Sequence, residues 1–166
     1  TLYHFNLIDK FFKMKKQKIC IIGDGLAVLT TALTLSNLDL DIDVYYKKNK
    51  NIVNDKRITA ISESNFKFLY RKNILKRKKS FWSCKKISLY YEYKNNLKNF
   101  LNFENQGKDL MHIFKNDTMK NEMVKKIKSE KKIKLQKKII KNISQKENYV
   151  EFGKNKKAYY DLIILC

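Results

Sequence analysis

Lys18-Ile19-Cys20-Ile21-Ile22-Gly23-Asp24-Gly25-Leu26-Ala27-Val28-Leu29-Thr30-Thr31-Ala32-Leu33 is the stretch whose reading decides the fold. After Lys18 the stretch runs Ile19-Cys20-Ile21-Ile22, apolar and β-branched enough for a buried strand. Its last eight form an apolar helix. Only four glycines occur in the whole chain, and two of them stand at this junction. Strand-Gly-x-Gly-helix is the pattern of a nucleotide-phosphate turn. Gly23 permits a tight turn that a Cβ would hinder. Gly25 lets backbone N–H groups approach a pyrophosphate at the positive end of the helix.

Outward from this junction, the sequence predicts a strand over 18–22, a helix over 25–37 and a strand over 41–46, a βαβ unit of the length a dinucleotide fold needs. A polar loop is expected from Lys47 to Thr59. A helix over 63–72 follows, with Ser62 or Ser64 as N-cap and Phe66, Phe68 and Leu69 among its apolar residues. Residues 85–92 read as a strand, with 99–103 as its partner. Asn116 or Asp117 would cap a helix over 118–128, whose Met119, Met123 and Ile127 recur at helical spacing and belong in a core. Strands are expected over 132–136, 138–144, 148–152 and 157–165, with a hairpin turn at Gly153-Lys154-Asn155. The final run, Tyr159-Tyr160-Asp161-Leu162-Ile163-Ile164-Leu165-Cys166, reads as a central parallel strand, apolar on both faces.

The 166 residues suffice for one domain with a real core, and 43% of them are hydrophobic, a globular composition. No apolar run is long enough for a membrane-spanning helix, and no secretory signal is visible. The net charge of +21 raises the possibility of a nucleic-acid or anionic-membrane surface. Only Arg57, Arg71 and Arg77 are arginines, however, and bidentate base recognition draws on arginine. With abundant Asn and Ile, no Pro and little Gly, the charge reads as lysine accumulating on solvated faces under a coding bias against G and C. No specific nucleic-acid partner is expected. Cys20, Cys84 and Cys166 form no CxxC pair, which points to a reduced, intracellular chain. His4 and His112 lie far apart with no ligand spacing around them, so no metal site is expected. No nucleophilic triad or carboxylate pair stands out, and Asp55 and Asp117 read as polar surface or capping residues, so no catalytic residue is named. Residues 1–13 read as a leader outside the fold, with Met14 as the start; a short amphipathic helix is the other reading of that segment.

Several segments together resemble one family, the FAD-dependent aromatic monooxygenases, and within it the ubiquinone-biosynthesis hydroxylases. Ile21–Leu33 is similar to the family's strand-GxGxxG-helix. Asn54-Asp55-Lys56-Arg57-Ile58-Thr59-Ala60-Ile61-Ser62 resembles its Asp-x-Arg-hydrophobic-x-Ala-hydrophobic-Ser motif. His112-Ile113-Phe114-Lys115-Asn116 is similar to the segment before its Asn-Arg helix, and Tyr160-Asp161-Leu162-Ile163-Ile164 to the strand before its Asp-Gly motif. The resemblance implies an α/β, Rossmann-like FAD-binding domain with a parallel central sheet and an additional β meander, incomplete at the C-terminus. Residues 14–166 would be the N-terminal part of that domain, truncated before the Asp-Gly motif and the substrate region, and inactive alone.

The resemblance also implies a site. The pyrophosphate of FAD would lie over Gly23, Gly25 and the amides of Leu26 and Ala27. Arg57 would contact the phosphate or ribityl side, and Asn116 would be a polar contact near the cofactor. Such enzymes use NAD(P)H as reductant and O2 to hydroxylate an aromatic, here polyprenylated, phenol. The implied setting is cytoplasmic, with peripheral attachment at the inner face of the membrane compatible with a lipid-soluble substrate. Four positions depart from the family. Val28 stands at the third glycine, which implies a helix pushed outward. Lys47 stands where an acidic residue would bind the adenosine ribose. Asp117 and Asn121 replace arginines. Lys47 would instead suit a 2′-phosphate, so an NAD(P)- or FAD-dependent oxidoreductase of another Rossmann family is the second reading. A basic module for nucleic acid or acidic lipid is the third.

Overall fold

The computed structural model describes residues 16–46, 56–75 and 81–166. Strand β1 (Gln17–Ile22) alternates its side chains between two cores, as the two-residue period of a strand requires. Ile19 and Ile21 join one apolar cluster, while Cys20 and Ile22 join another. Helix α1 (Leu26–Leu35) follows and buries Val28, Leu29, Ala32 and Leu33. Strand β2 (Leu40–Tyr46) returns parallel to β1, with Cys20 opposite Asp43 and Ile21 opposite Val44. The predicted βαβ unit is therefore present, the helix two residues shorter at its C-terminal end because Ser36 and Asn37 turn back onto the carbonyl of Leu33.

Three short strands were not legible as strands: β3 (Ile58–Ser62), β4 (Trp82–Cys84) and β7 (Met111–Lys115). They pair antiparallel in the order β3-β7-β4. The loop expected through Thr59 accordingly gives way to a strand from Ile58. Helix α2 (Glu63–Arg71) starts where expected, its N-cap Ser62 accepting a bond from the Asn65 amide at 3.3 Å. Of its predicted apolar residues Leu69 is buried and Phe68 is exposed. The hairpin β5 (Lys86–Tyr93) and β6 (Asn96–Glu104) is antiparallel, joined through Lys94 and Asn95, both with positive φ, the conformation of a two-residue I′ turn.

Helix α3 (Asn116–Ser129) buries the predicted Met119, Met123 and Ile127 and packs on α1, where Thr30 Oγ1 donates to the Met123 sulfur at 3.9 Å. Its N-cap is Lys115, not Asn116 or Asp117. Asn116 is inside the helix because its side chain accepts a hydrogen bond from Thr59. Strand β8 (Ile133–Lys137) pairs parallel to β2 in a four-stranded parallel sheet whose order is β12 (Leu162–Leu165), β1, β2, β8. Strands β9 (Ile140–Ser144), β10 (Tyr149–Phe152) and β11 (Lys156–Tyr159) form an antiparallel meander, and the turn at Gly153–Asn155 lies as predicted.

The strand expected over 157–165 is two strands. At Tyr160-Asp161 the chain leaves one sheet for another: the Tyr160 amide donates to Asn148 O, and the Asp161 amide to Lys18 O. Strand β12 (Leu162–Leu165) then runs parallel to β1. Among the described residues it is an edge strand rather than a central one, with Leu162 and Leu165 exposed. The sheet thus lies between helices on one face and the meander on the other. Burying a side chain such as Ile21 or Val44 in the helix-side core stabilises the fold by roughly 1.5–3 kcal/mol.

Candidate functional site

In an open parallel sheet, ligands bind at the carboxyl ends of the strands, where the strand order reverses. Here the order reverses at β1: the chain moves from β1 to β2 and β8 on one side, then to β12 on the other. Gly23 and Gly25 stand at the carboxyl end of β1, at that reversal. Gly23 has φ +143°, and a Cβ built on it would lie 2.2 Å from the Cys166 carbonyl oxygen and 2.6 Å from Val28 Cγ2. Only glycine fits. Its amide donates to Tyr45 O at 3.0 Å, and the Cys166 amide donates to Ile22 O at 3.1 Å, so the turn is held to both neighbouring strands.

Gly25 is different. It is the N-cap of α1, in extended conformation, and a Cβ there would meet nothing within 4 Å. No side chain caps this helix end, and no acidic residue occupies its first turn. Among the described residues the first-turn amides of Leu26 and Ala27 therefore have no side-chain acceptor from the cap, and they stand at the positive end of the helix dipole. That is the chemistry of an anion cradle. Ala27 is exposed and Leu26 half-buried. Val28, at the third glycine position, is fully buried, and its methyl occupies the space left by the missing side chain of Gly23. The valine at the third position thus packs into the space left by the glycine at the first.

Topology carries Asn116 and Arg57 to the same end of the sheet. Helix α3 leads through a short turn into β8, which runs parallel to β1, so the helix starts at the carboxyl end. Asn116 is its first residue and is buried. The Asn116 amide donates to Arg57 O at 3.0 Å, and Thr59 Oγ1 donates to Asn116 Oδ1. Thr59 was not anticipated; the pairing of β3 with β7 brings it there. Arg57 is exposed. Lys47 and Asp55 lie outside the described residues.

No acidic side chain in β2 substitutes for the missing ribose partner. Asp43 is buried on the meander side, where it accepts from Tyr160 Oη at 2.8 Å and Gln136 Nε2 at 3.0 Å and pairs with Lys18 Nζ at 3.2 Å. Tyr45 Oη lies 2.6 Å from Tyr160 Oη. Burial pushes both tyrosine hydroxyls above their ordinary range, and Asp43 adds to the shift in each. Burial likewise pushes the Cys20 thiol up to about 12, with the Asp43 charge adding to it. This cluster locks the meander to the sheet and keeps Asp43 away from any ligand.

A second polar group was missed because its members come from three segments. His112 of β7 is 5% exposed and contacts Glu63, the first residue of α2, through Nε2. Its Nδ1 lies 3.3 Å from Ser83 Oγ, and Ser83 Oγ donates to Asp109 Oδ2 at 3.1 Å. Phe66 stacks on the imidazole at 3.9 Å between centroids. Hydrogen bonds from His112 and then Lys67 hold the Glu63 carboxyl below its ordinary value. A pocket of about 410 Å³ is lined by these residues with Tyr70 and Phe81.

No family model and no curated protein matches the chain by sequence. Solved structures do match by shape. PqsL of Pseudomonas aeruginosa, described as a probable FAD-dependent monooxygenase, superposes with TM-score 0.67 at 10% identity, over 91% of this chain and 41% of its own. The likeness is one of fold. The 2,6-dihydroxypyridine-3-hydroxylase of Arthrobacter nicotinovorans gives 0.63 at 13% identity, over 90% and 36%. The p-nitrophenol 4-monooxygenase PnpA of Pseudomonas putida DLL-E4 gives 0.61 at 17% identity, over 87% and 39%. The chain spans about two fifths of the length of these structures. No helix among the described residues is long and apolar enough to cross a membrane.

Proposed function

We propose that this chain is the FAD-binding part of a flavin-dependent monooxygenase acting on an aromatic substrate. The observation that carries the reading is the turn Gly23-Asp24-Gly25 at the strand-order reversal, with the uncapped α1 amides beyond it. The fit to a dinucleotide is physical: one glycine excludes a side chain from a crowded turn, and the other leaves open space in front of free donors. Gly23, Gly25, Leu26 and Ala27 would hold the pyrophosphate. Arg57, always charged and forked, would contact phosphate or ribityl oxygens. Asn116, oriented by Thr59, would add a polar contact, and Lys47 would stand near the adenosine ribose.

When bound, the flavin would supply the redox chemistry, with NAD(P)H as reductant and O2 as oxidant. This chain's own residues bind, orient and keep water from the pyrophosphate side. Residues 14–166 would form the N-terminal part of the cofactor domain, with residues 1–13 outside it. A polyprenylated phenol, as in ubiquinone biosynthesis, remains the finer reading; it rests on the Asp55–Ser62 segment and would go with peripheral attachment to a cytoplasmic membrane face.

Titration of the purified chain with FAD, read by quenching of flavin fluorescence, tests the assignment. Saturable binding is expected, weakened about tenfold or more (roughly 1.4 kcal/mol) by Gly25→Asp, which sets a carboxylate against the pyrophosphate. Binding of NADPH in preference to FAD would transfer the reading to another dinucleotide-binding oxidoreductase, for which Lys47 offers a 2′-phosphate partner. Equal FAD affinity in the wild type and Gly25→Asp would sink the site.

A further inference from the structure

The His112 cluster gathers three metal-ligand side chains from separate segments around one point. His112 Nε2 contacts Glu63 Oε2, and Asp109 Oδ2 lies 4.0 Å from the same nitrogen. Ser83 Oγ donates to Asp109 Oδ2 at 3.1 Å and lies 3.3 Å from His112 Nδ1. Asp109 Oδ1 is buried with no hydrogen-bond partner among the described residues. A buried oxygen of this kind is costly unless an ion or water meets it.

The geometry points to a divalent-cation site formed by His112 Nε2, Glu63 and Asp109, of the borderline class that takes mixed nitrogen and oxygen donors, with Zn²⁺ as the representative ion. The three donor atoms all lie within 4.8 Å of one another. Donors about 2.0–2.2 Å from a zinc ion sit a little over 3 Å apart in a tetrahedron, so side-chain rotation closes the set. The ring is held as a ligating histidine is, its other nitrogen paired with an outer oxygen, here Ser83 Oγ, while Phe66 stacks on its face. The scaffold is tied by main-chain bonds. The Glu63 amide donates to Leu110 O at 3.1 Å, and the Leu110 amide to Cys84 O at 2.8 Å. Lys67 Nζ pairs with the other Glu63 oxygen at 3.0 Å, which neutralises part of the carboxylate charge and leaves Oε2 to the cluster. The adjoining pocket admits the ion and leaves room for water to complete its coordination. Such an ion would clamp the start of α2 to β7 and to the Asp109 turn. None of these residues belongs to the glycine turn, so the inference stands apart from the flavin reading.

Equilibrium dialysis of the chelator-stripped chain against Zn²⁺ tests it, with Co²⁺ as a spectroscopic probe. The expected result is about one ion bound per chain, a rise in Tm on binding, and cobalt d–d bands without thiolate-to-metal charge transfer. Asp109→Asn should bind about tenfold more weakly or worse while its metal-free Tm stays near wild type. His112→Gln, which gives up the stacking on Phe66, is the second variant and should lose the cobalt bands. Absence of binding, equal affinity in Asp109→Asn, or a cobalt spectrum dominated by cysteine thiolate would each overturn the proposal.

Discussion

Gly23 and Gly25 stand two residues apart and do different work. At Gly23 the φ of +143° and the contacts with Cys166 O and Val28 Cγ2 exclude any Cβ. Gly23→Ala should therefore destabilise the fold by about 3 kcal/mol or more, combining a strained backbone with overpacking. Gly25→Ala meets open space and should change folding by no more than about 0.5 kcal/mol. Urea denaturation of the two variants separates these cases; similar losses at both positions would contradict the geometry. Cys20 makes a second test. Its thiol is pushed from the ordinary 9.0 to about 12 by burial and Asp43. A thiol whose pKa is raised by folding stabilises the native state fully below its ordinary pKa, and that contribution fades as pH rises from 9.0 toward about 12. At neutral pH, iodoacetamide should modify exposed Cys166 and spare Cys20 until the chain is unfolded.

Among elements, the meander is attached to the sheet through few but specific contacts. Tyr160→Phe would remove the donor to Asp43 Oδ2 and leave a buried carboxylate short of a partner, at a cost of about 1–3 kcal/mol. The loss should show as a lower Tm, and an unchanged Tm would mean that Lys18 and Gln136 alone satisfy Asp43. The β5–β6 hairpin stands at the other extreme. Both of its faces are exposed throughout most of its length, and a two-stranded ribbon is marginal in isolation. Its amides should exchange with deuterium well before those of β1 and β2. Ser62 illustrates how a local signal survives: the cap was legible as Ser before a polar-apolar helical pattern, and the Asn65 amide does bond it.

On the scale of the whole molecule, the apolar surface matters more than the charge. Tyr90, Leu97 and Phe100 are 59%, 76% and 62% exposed on one hairpin, Phe100 against Tyr91, and exposed apolar surface favours association. Leu97→Ser combined with Phe100→Ser should shift the chain toward monomer in sedimentation velocity without lowering Tm. Unchanged sedimentation would show that this surface does not govern association.

Read alone, the sequence determined the local elements whose signal is carried by neighbours a few residues apart. The β1-turn-α1 junction, the Ser62 cap, the Met119-Met123-Ile127 face and the Gly153–Asn155 turn all follow from periodicity, capping chemistry and backbone freedom. Tertiary structure decided what depends on distant partners. β3, β4 and β7 are short and mixed in polarity, and they become strands by pairing with each other. The Tyr160-Asp161 break exists because one run of residues bonds first to Asn148 and then to Lys18. Asn116 lost its expected capping role to a bond with Thr59, and His112 gained Glu63, Asp109 and Ser83 from segments up to 49 residues away. The physical reason is the same in each case: sequence spacing specifies the angle between neighbours on one element, whereas a site built across elements is specified only once the sheets have paired.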